Sequence, residues 1–66
     1  MNLMVNGESA MFPHGATLAD VLDRLSLPAK GIAIERNREI VPKSTYGVTH
    51  LTEGDRIEIV HFVGGG

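Results

Sequence analysis

The 66-residue chain contains no cysteine and no tryptophan, and only 5% of its residues are aromatic. Without cysteine it cannot build a disulfide framework, a thiolate zinc site or a cysteine nucleophile. No apolar run approaches the roughly 20 residues that span a membrane, and the first residues lack the basic and apolar regions of a signal peptide. A cysteine-free chain suits a reducing compartment, so we expect a cytoplasmic protein.

The chain also lacks an excess of charge of either sign. Eight acidic and six basic residues give a formal net charge of −2, and no run of like charge occurs. Nucleic-acid-binding domains usually carry a basic face, so we expect no nucleic acid partner.

A chain of this length buries only about 60% of its unfolded surface. We expect one small domain over residues 1–66, monomeric when free.

The N-terminal residues predict a β-hairpin. Residues 2–5 and residues 9–12 have the composition of two short strands. Between them, Asn6 and Gly7 form the dipeptide favoured in tight hairpin turns, because both positions can adopt positive φ. Pro13 ends the second strand.

Residues 17–25 predict the one clear helix. Thr17 can cap a free backbone N–H, and Asp20 can reach back to the cap as the acid of a capping box. Pro28 prevents the helix from continuing far. A single apolar stripe follows the spacing i, i+3, i+4, i+7 and consists of Leu18, Val21, Leu22 and Leu25. A helix with one apolar face must bury that face against another element, and a sheet offers a flat surface for this packing.

The second half of the chain predicts three more strands, at residues 32–36, 39–41 and 56–63. The turn at residues 37–38 joins the first two of these. Pro42 follows the second one directly and lacks an N–H, so that strand should lie at an edge or an end of the sheet.

A single helical turn or a loop is predicted at residues 44–47, where Tyr46 would cover the core with its hydroxyl in water. The order of elements is then strand, strand, helix, strand, strand, short turn, strand. This order predicts an α+β fold of the β-grasp kind, as in ubiquitin. We expect a small mixed sheet of four to five strands packed on one helix, with residues 63–66 as a flexible tail.

The body of the chain offers no catalytic set. His14, His50 and His61 have no metal-ligand spacing, the serines have no nucleophile-elbow context, and the glycines form no phosphate loop. We therefore expect no metal site, no bound cofactor and no enzymatic activity of the chain's own.

The glycine-rich ending is the exception. Gly64, Gly65 and Gly66 follow Val63, and glycine has no Cβ to clash or to pack. Extended, three residues reach about 10 Å at roughly 3.3–3.6 Å per residue. The functional interpretation is a free carboxylate that enters a narrow site on another protein. The alternative is a frayed end or a truncation.

The last predicted strand changes its apolar side before this tail. If Ile57 and Ile59 face the helix, then Val60 and Phe62 alternate to the opposite, solvent-facing side. A bulge or two-sided burial would explain this. An exposed apolar patch that docks a partner would explain it too, and its position beside the tail favours docking.

Several segments resemble the ThiS/MoaD family of ubiquitin-like sulfur carriers. The ending VGGG at residues 63–66 resembles the Gly-Gly terminus of the family. Residues 32–44 (IAIERNREIVPKS) resemble the thiamine-pathway members, with a strand, an Asn-centred turn and a Val-Pro-basic segment in this order. Tyr46 stands where those members often have an aromatic residue. Residues 53–60 (EGDRIEIV) resemble their Asp-Gly-Asp turn and final strand, with Glu replacing the first Asp.

This resemblance implies a β-grasp sulfur carrier. The terminal Gly66 carboxylate would be adenylated by a separate ThiF-like enzyme that consumes ATP. A sulfur donor protein would then convert it to a thiocarboxylate. A ThiG-like thiazole synthase would take the sulfur for the thiazole ring of thiamine. Residues expected to contact these partners are Val60, Phe62, Val63, Gly64 and Gly65; the role of Gly64 stays open.

Three alternatives remain at this point. The chain could be a molybdopterin-pathway carrier with the same fold and tail, a ubiquitin-like modifier joined through Gly66 to lysine, or a binding module with an inert tail. The short length and residues 41–44 (VPKS) favour the thiamine carrier over the first of these. Only the two carriers would gain the mass of sulfur replacing oxygen.

Overall fold

The computed structural model describes residues 1–62. These residues form the strands β1 (Asn2–Val5), β2 (Glu8–Met11), β3 (Ile32–Arg36), β4 (Glu39–Ile40) and β5 (Arg56–His61), the helix α1 (Leu18–Arg24) and a 3₁₀ helix at Lys43–Thr45. One sheet has the strand order β2-β1-β5-β3-β4. The β1–β5 pair is parallel, whereas the other neighbours are antiparallel. The predicted mixed β-grasp sheet on one helix is confirmed.

The first hairpin forms around the predicted turn. Asn6 has φ 50° and Gly7 has φ 83°, as a tight two-residue hairpin turn requires. Val5 and Glu8 pair directly across this turn, so β2 starts at Glu8. The predicted strand at residues 9–12 was therefore wrong by one residue. Phe12 lies beyond β2 and is buried in the core.

Helix α1 begins with the predicted capping box. The backbone N–H of Asp20 donates to Thr17 Oγ1 at 3.3 Å, and the backbone N–H of Thr17 donates to Asp20 Oδ2 at 2.8 Å. Leu25 was expected to be buried on the apolar stripe, and this prediction was wrong. The helix ends at Arg24, Leu25 is its C-cap, and the Leu25 side chain is 42% exposed.

Two other strands are shorter than predicted. β4 ends at Ile40, because Pro42 has no N–H to continue the ladder, although the Val41 N–H still donates to Ile34 O at 3.0 Å. β4 lies at the sheet edge as predicted. The last strand was predicted to reach residue 63, but β5 ends at His61, and residue 63 lies outside the described residues.

The core lies between α1 and one face of the sheet, which we call the inner face. Its fully buried side chains come from β1, α1, β3 and β5 and are Leu3, Leu18, Val21, Ile34 and Ile57. Tyr46 is buried as part of the same cluster, which confirms its expected covering position. The opposite face is called the outer face. No helix within residues 1–62 is long and apolar enough to cross a membrane.

Candidate functional site

The outer face of β5 ends in exposed apolar side chains. Val60 is 50% exposed and Phe62, one residue beyond the strand, is 68% exposed, whereas Ile57 on the inner face is fully buried. The β3–β5 register is continuous from Ile32↔His61 to Arg36↔Ile57. The bulge considered from the sequence is therefore absent from this ladder, and Val60 is exposed because of regular strand alternation.

A residue of the neighbouring strand widens this apolar surface. Ala33 of β3 pairs with Val60, and paired residues share one face of a sheet. We call Ala33, Val60 and Phe62 the apolar patch. Ala33 was not identified from the sequence, because its position on the outer face depends on the register between two strands 20 residues apart.

Two carboxylates border the apolar patch. Glu35 and Glu58 pair across β3 and β5. Glu35 lies two residues from Ala33, and Glu58 lies two residues from Val60, so this pair is on the same face as the patch. Like charges directly opposite each other destabilise a sheet. Ile40 of β4 pairs with Glu35 and is also largely exposed. The surface around the patch is thus apolar with an acidic border.

A buried aspartate organises the other end of β5. Asp55 is 6% exposed. Arg36 Nε donates to its Oδ2 at 2.8 Å, and Asn37 Nδ2 donates to its Oδ1 at 3.0 Å. Thr52 donates its backbone N–H to Oδ2 at 2.8 Å and its hydroxyl to Oδ1 at 3.1 Å. Every carboxylate oxygen therefore accepts two hydrogen bonds.

These contacts set the protonation of Asp55. Burial acts to raise the pKa of the Asp55 carboxyl, but the hydrogen bonds from Thr52, Asn37 and Arg36 outweigh it and leave the pKa below its ordinary value. Donors that bind the charged form favour ionisation. Asp55 is therefore a carboxylate at neutral pH and holds a structural ion pair with Arg36.

The Asp55 network fixes the hairpin between β3 and β4 to the start of β5. The Asn37 N–H donates to Arg56 O at 2.8 Å, and the Arg56 N–H donates to Asn37 Oδ1 at 3.0 Å. The sequence indicated a turn at both places but not their contact. The only local signal of this contact in the sequence is an acidic residue, Asp55, directly before a strand.

The other residues considered from the sequence divide into two groups, the histidines that were not expected to bind metal and the residues of the predicted tail. His14, His50 and His61 are exposed, and residues 1–62 contain no group of three His, Cys, Asp or Glu that could hold a metal ion; the absence of a metal site stays a prediction. The other group lies outside the described residues and comprises Val63, Gly64, Gly65 and Gly66.

Comparison with known proteins gives consistent matches. The model of the ThiS family matches residues 3–66. Sulfur carrier protein ThiS of Bacillus subtilis is 42% identical over 65 residues, which cover 97% of this chain and 98% of that protein. A protein of Paramagnetospirillum magneticum named thiazole synthase is 44% identical over 66 residues. The match covers this whole chain but only 20% of the length of that relative.

A solved structure agrees with the fold. The crystal structure of thiamine biosynthesis protein ThiS from Geobacter metallireducens superposes with a TM-score of 0.85 at 29% identity, covering 100% of both chains. The family match extends over more than nine-tenths of the sequence and includes all three segments that suggested it. The chain belongs to the ThiS family.

Proposed function

We propose that this protein is the sulfur carrier of thiamine biosynthesis and that it acts as a protein co-substrate of other enzymes rather than as an enzyme. The observation that carries the proposal is the family match, which continues through the glycine residues to residue 66. The relative in Bacillus subtilis, which matches over nearly its full length, is named a sulfur carrier. The body of the chain then serves to present the Gly66 carboxylate.

The proposed chemistry activates a group that is otherwise unreactive. A carboxylate is a poor electrophile, so an oxygen of the Gly66 carboxylate attacks the α-phosphorus of ATP on a separate adenylating enzyme and pyrophosphate leaves. Sulfur at the sulfide oxidation level, delivered by a donor protein, then attacks the acyl carbon of this adenylate; AMP leaves, and a thiocarboxylate results. The carrier itself binds no cofactor in this scheme, and it works in the cytoplasm.

The outer face supplies the docking surface for the adenylating enzyme. The apolar patch is exposed and lies where β5 runs toward the tail. Burial of such a patch on association contributes roughly 25 cal/mol per Å² of apolar surface. The Val60 and Phe62 side chains would hold the body of the carrier while Val63 and Gly64 follow the chain into the enzyme.

A thiazole synthase is the proposed sulfur acceptor. Relatives named thiazole synthase contain a segment 44% and 42% identical to this whole chain. A carrier segment within the same polypeptide as its acceptor would raise the effective concentration of one for the other. These names favour the thiazole of thiamine over the molybdopterin pathway as the destination of the sulfur.

Gly65→Val tests whether the ending must enter a narrow channel. We expect this variant to fold as the original does, because the core cluster is formed within residues 1–62, yet to lose ATP–pyrophosphate exchange with the adenylating enzyme. Gly47→Val is the matched control, because an added Cβ at this exposed glycine meets no atom within 4 Å, and it should retain most of the exchange. Normal exchange by Gly65→Val would count against entry of the ending into a narrow channel.

A further inference from the structure

The two hairpin turns use the same backbone shape with different residues. Asn6 and Gly7 have φ 50° and 83°, and Asn37 and Arg38 have φ 52° and 71°. Glycine takes the second position of such turns readily, whereas a residue with a Cβ is disfavoured in this left-handed region. The chain therefore holds an arginine where glycine would be less strained.

Arg38 and Arg56 both lack a side-chain partner within residues 1–62. Of the four arginines, Arg24 donates to a backbone carbonyl and Arg36 pairs with Asp55. The guanidinium groups of Arg38 and Arg56 make no hydrogen bond or ion pair within residues 1–62. Both residues are exposed.

The two guanidinium groups border one depression. It has a volume of about 320 Å³ and is lined by Asn37, Arg38, Gly54 and Arg56. Among residues 1–62, no acidic side chain lines it. The nearby Asp55 carboxylate is paired with Arg36 instead.

The backbone holds this arrangement in place. The reciprocal hydrogen bonds between Asn37 and Arg56 fix the turn that carries Arg38 against the start of β5. Two planar guanidinium groups beside one depression suit the oxygens of an oxyanion, to which each can donate a pair of hydrogen bonds. A strained backbone that persists at such a place is characteristic of a functional position.

We propose that Arg38 and Arg56 form a binding site for the carboxylates of an acidic segment on a partner protein. Arg56 alternates onto the same outer face as Val60, four residues away along β5, which is about 13 Å at the rise of a strand. Glu58 lies between Val60 and Arg56 on this face, so a partner that covers the apolar patch meets the arginine pair on the far side of that carboxylate. The choice of the partner that covers the apolar patch rests on the proposed function, whereas the arginine site itself does not.

Peptide binding tests this site without any sulfur chemistry. The probe is a hexaglutamate peptide titrated into the ¹⁵N-labelled full chain at low salt, with amide and arginine Nε–H shifts as the readout. We expect the largest shifts at Asn37, Arg38 and Arg56. Arg38→Asn, which tolerates the left-handed region, and Arg56→Gln should each weaken binding about tenfold, the size typical of a lost charged hydrogen bond.

Two controls decide the outcome. Lys30→Gln removes the same charge at an exposed loop position and should change the affinity less than twofold; an equal loss there would overturn the site. Binding of inorganic phosphate but not of the peptide would overturn the assignment to a protein carboxylate. Arg38→Gly should raise the melting temperature by about 4 °C or more, and a lower value would contradict the strain at Arg38.

Because these readouts involve neither ATP nor sulfur, they separate the two proposals. Failure of the original chain to bind the peptide, with normal thiocarboxylate formation, would overturn the arginine site alone. Normal peptide binding by a chain that cannot be adenylated would overturn the proposed function and leave the arginine site intact.

Discussion

Asp55 connects two turns that lie far apart in the sequence. Its carboxylate receives hydrogen bonds from Arg36 and Asn37 in the hairpin between β3 and β4, and from Thr52 before β5. A buried carboxylate with all its acceptor positions used stabilises the fold, but loss of its charge leaves donors without partners. Loss of these hydrogen bonds would weaken the pairing of β3 with β5, whose register places Val60 on the outer face.

Asp55→Asn should therefore lower the free energy of unfolding by about 2 kcal/mol, since an amide cannot accept all four hydrogen bonds. Chemical denaturation measures this change. Asp23→Asn on the exposed surface of α1 is the control and should stay within about 0.5 kcal/mol of the original. An equal effect of the two substitutions would remove Asp55 from its structural role.

The pKa of Asp55 also gives a pH dependence. Because its pKa is lower in the folded protein than its ordinary value, its contribution is complete above the unfolded value of about 3.9. The contribution is lost as the pH falls from there through the folded pKa. Between pH 5 and pH 2, the stability of the original protein should fall more steeply than that of Asp55→Asn. Parallel curves would contradict this linkage.

At the level of elements, α1 shows how a short helix is fixed by its first turn. Seven residues are too few for a stable isolated helix, so the cap and the buried side chains must supply the stability. The capping box uses Asp20 where Glu is usual, and the shorter side chain still reaches the Thr17 N–H at 2.8 Å.

Thr17→Ala should lower the free energy of unfolding by about 1 kcal/mol, the usual cost of losing an N-cap side chain. Thr17→Ser keeps the hydroxyl and should recover most of that loss. Thermal or chemical denaturation of the two variants measures the difference. If serine and alanine were equally destabilising, the lost methyl contacts of Thr17 rather than the cap would be responsible.

The outer face of β5 is the second element with a specific prediction. Val60→Ser removes apolar area from a half-exposed position, so the stability should change little, whereas affinity for the adenylating enzyme should fall about tenfold, as for a contact worth roughly 1.4 kcal/mol. Val48→Ser alters an exposed valine outside the sheet and serves as the control. Equal affinities of the two variants would exclude Val60 from the docking surface.

For the whole molecule, local patterns predicted most of the fold. The Asn6-Gly7 turn, the Thr17–Asp20 cap and the edge position of β4 each follow from a short stretch of chain, and all three are confirmed. The errors lie at element ends, where one hydrogen bond decides the boundary. Leu25 is the clearest case, because periodicity extends the stripe one residue past the point where the helix stops.

Contacts between distant residues were not predictable in the same way. The burial of Asp55 depends on Arg36, 19 residues away, and the place of Ala33 in the apolar patch depends on the β3–β5 register. Neither leaves a periodic signal in the sequence. The exposed alternation of Val60 was predictable because it needs only one strand.

The central claim is that the Gly66 carboxylate carries sulfur, and intact mass spectrometry tests it most directly. The protein is incubated with an adenylating enzyme, ATP and a sulfur donor, and an otherwise identical reaction omits ATP. We predict that the complete reaction adds the mass of sulfur replacing one oxygen, located by fragmentation at Gly66. An unchanged mass in the presence of enzymes that load another ThiS protein would contradict the claim, and so would larger adducts joined through lysine.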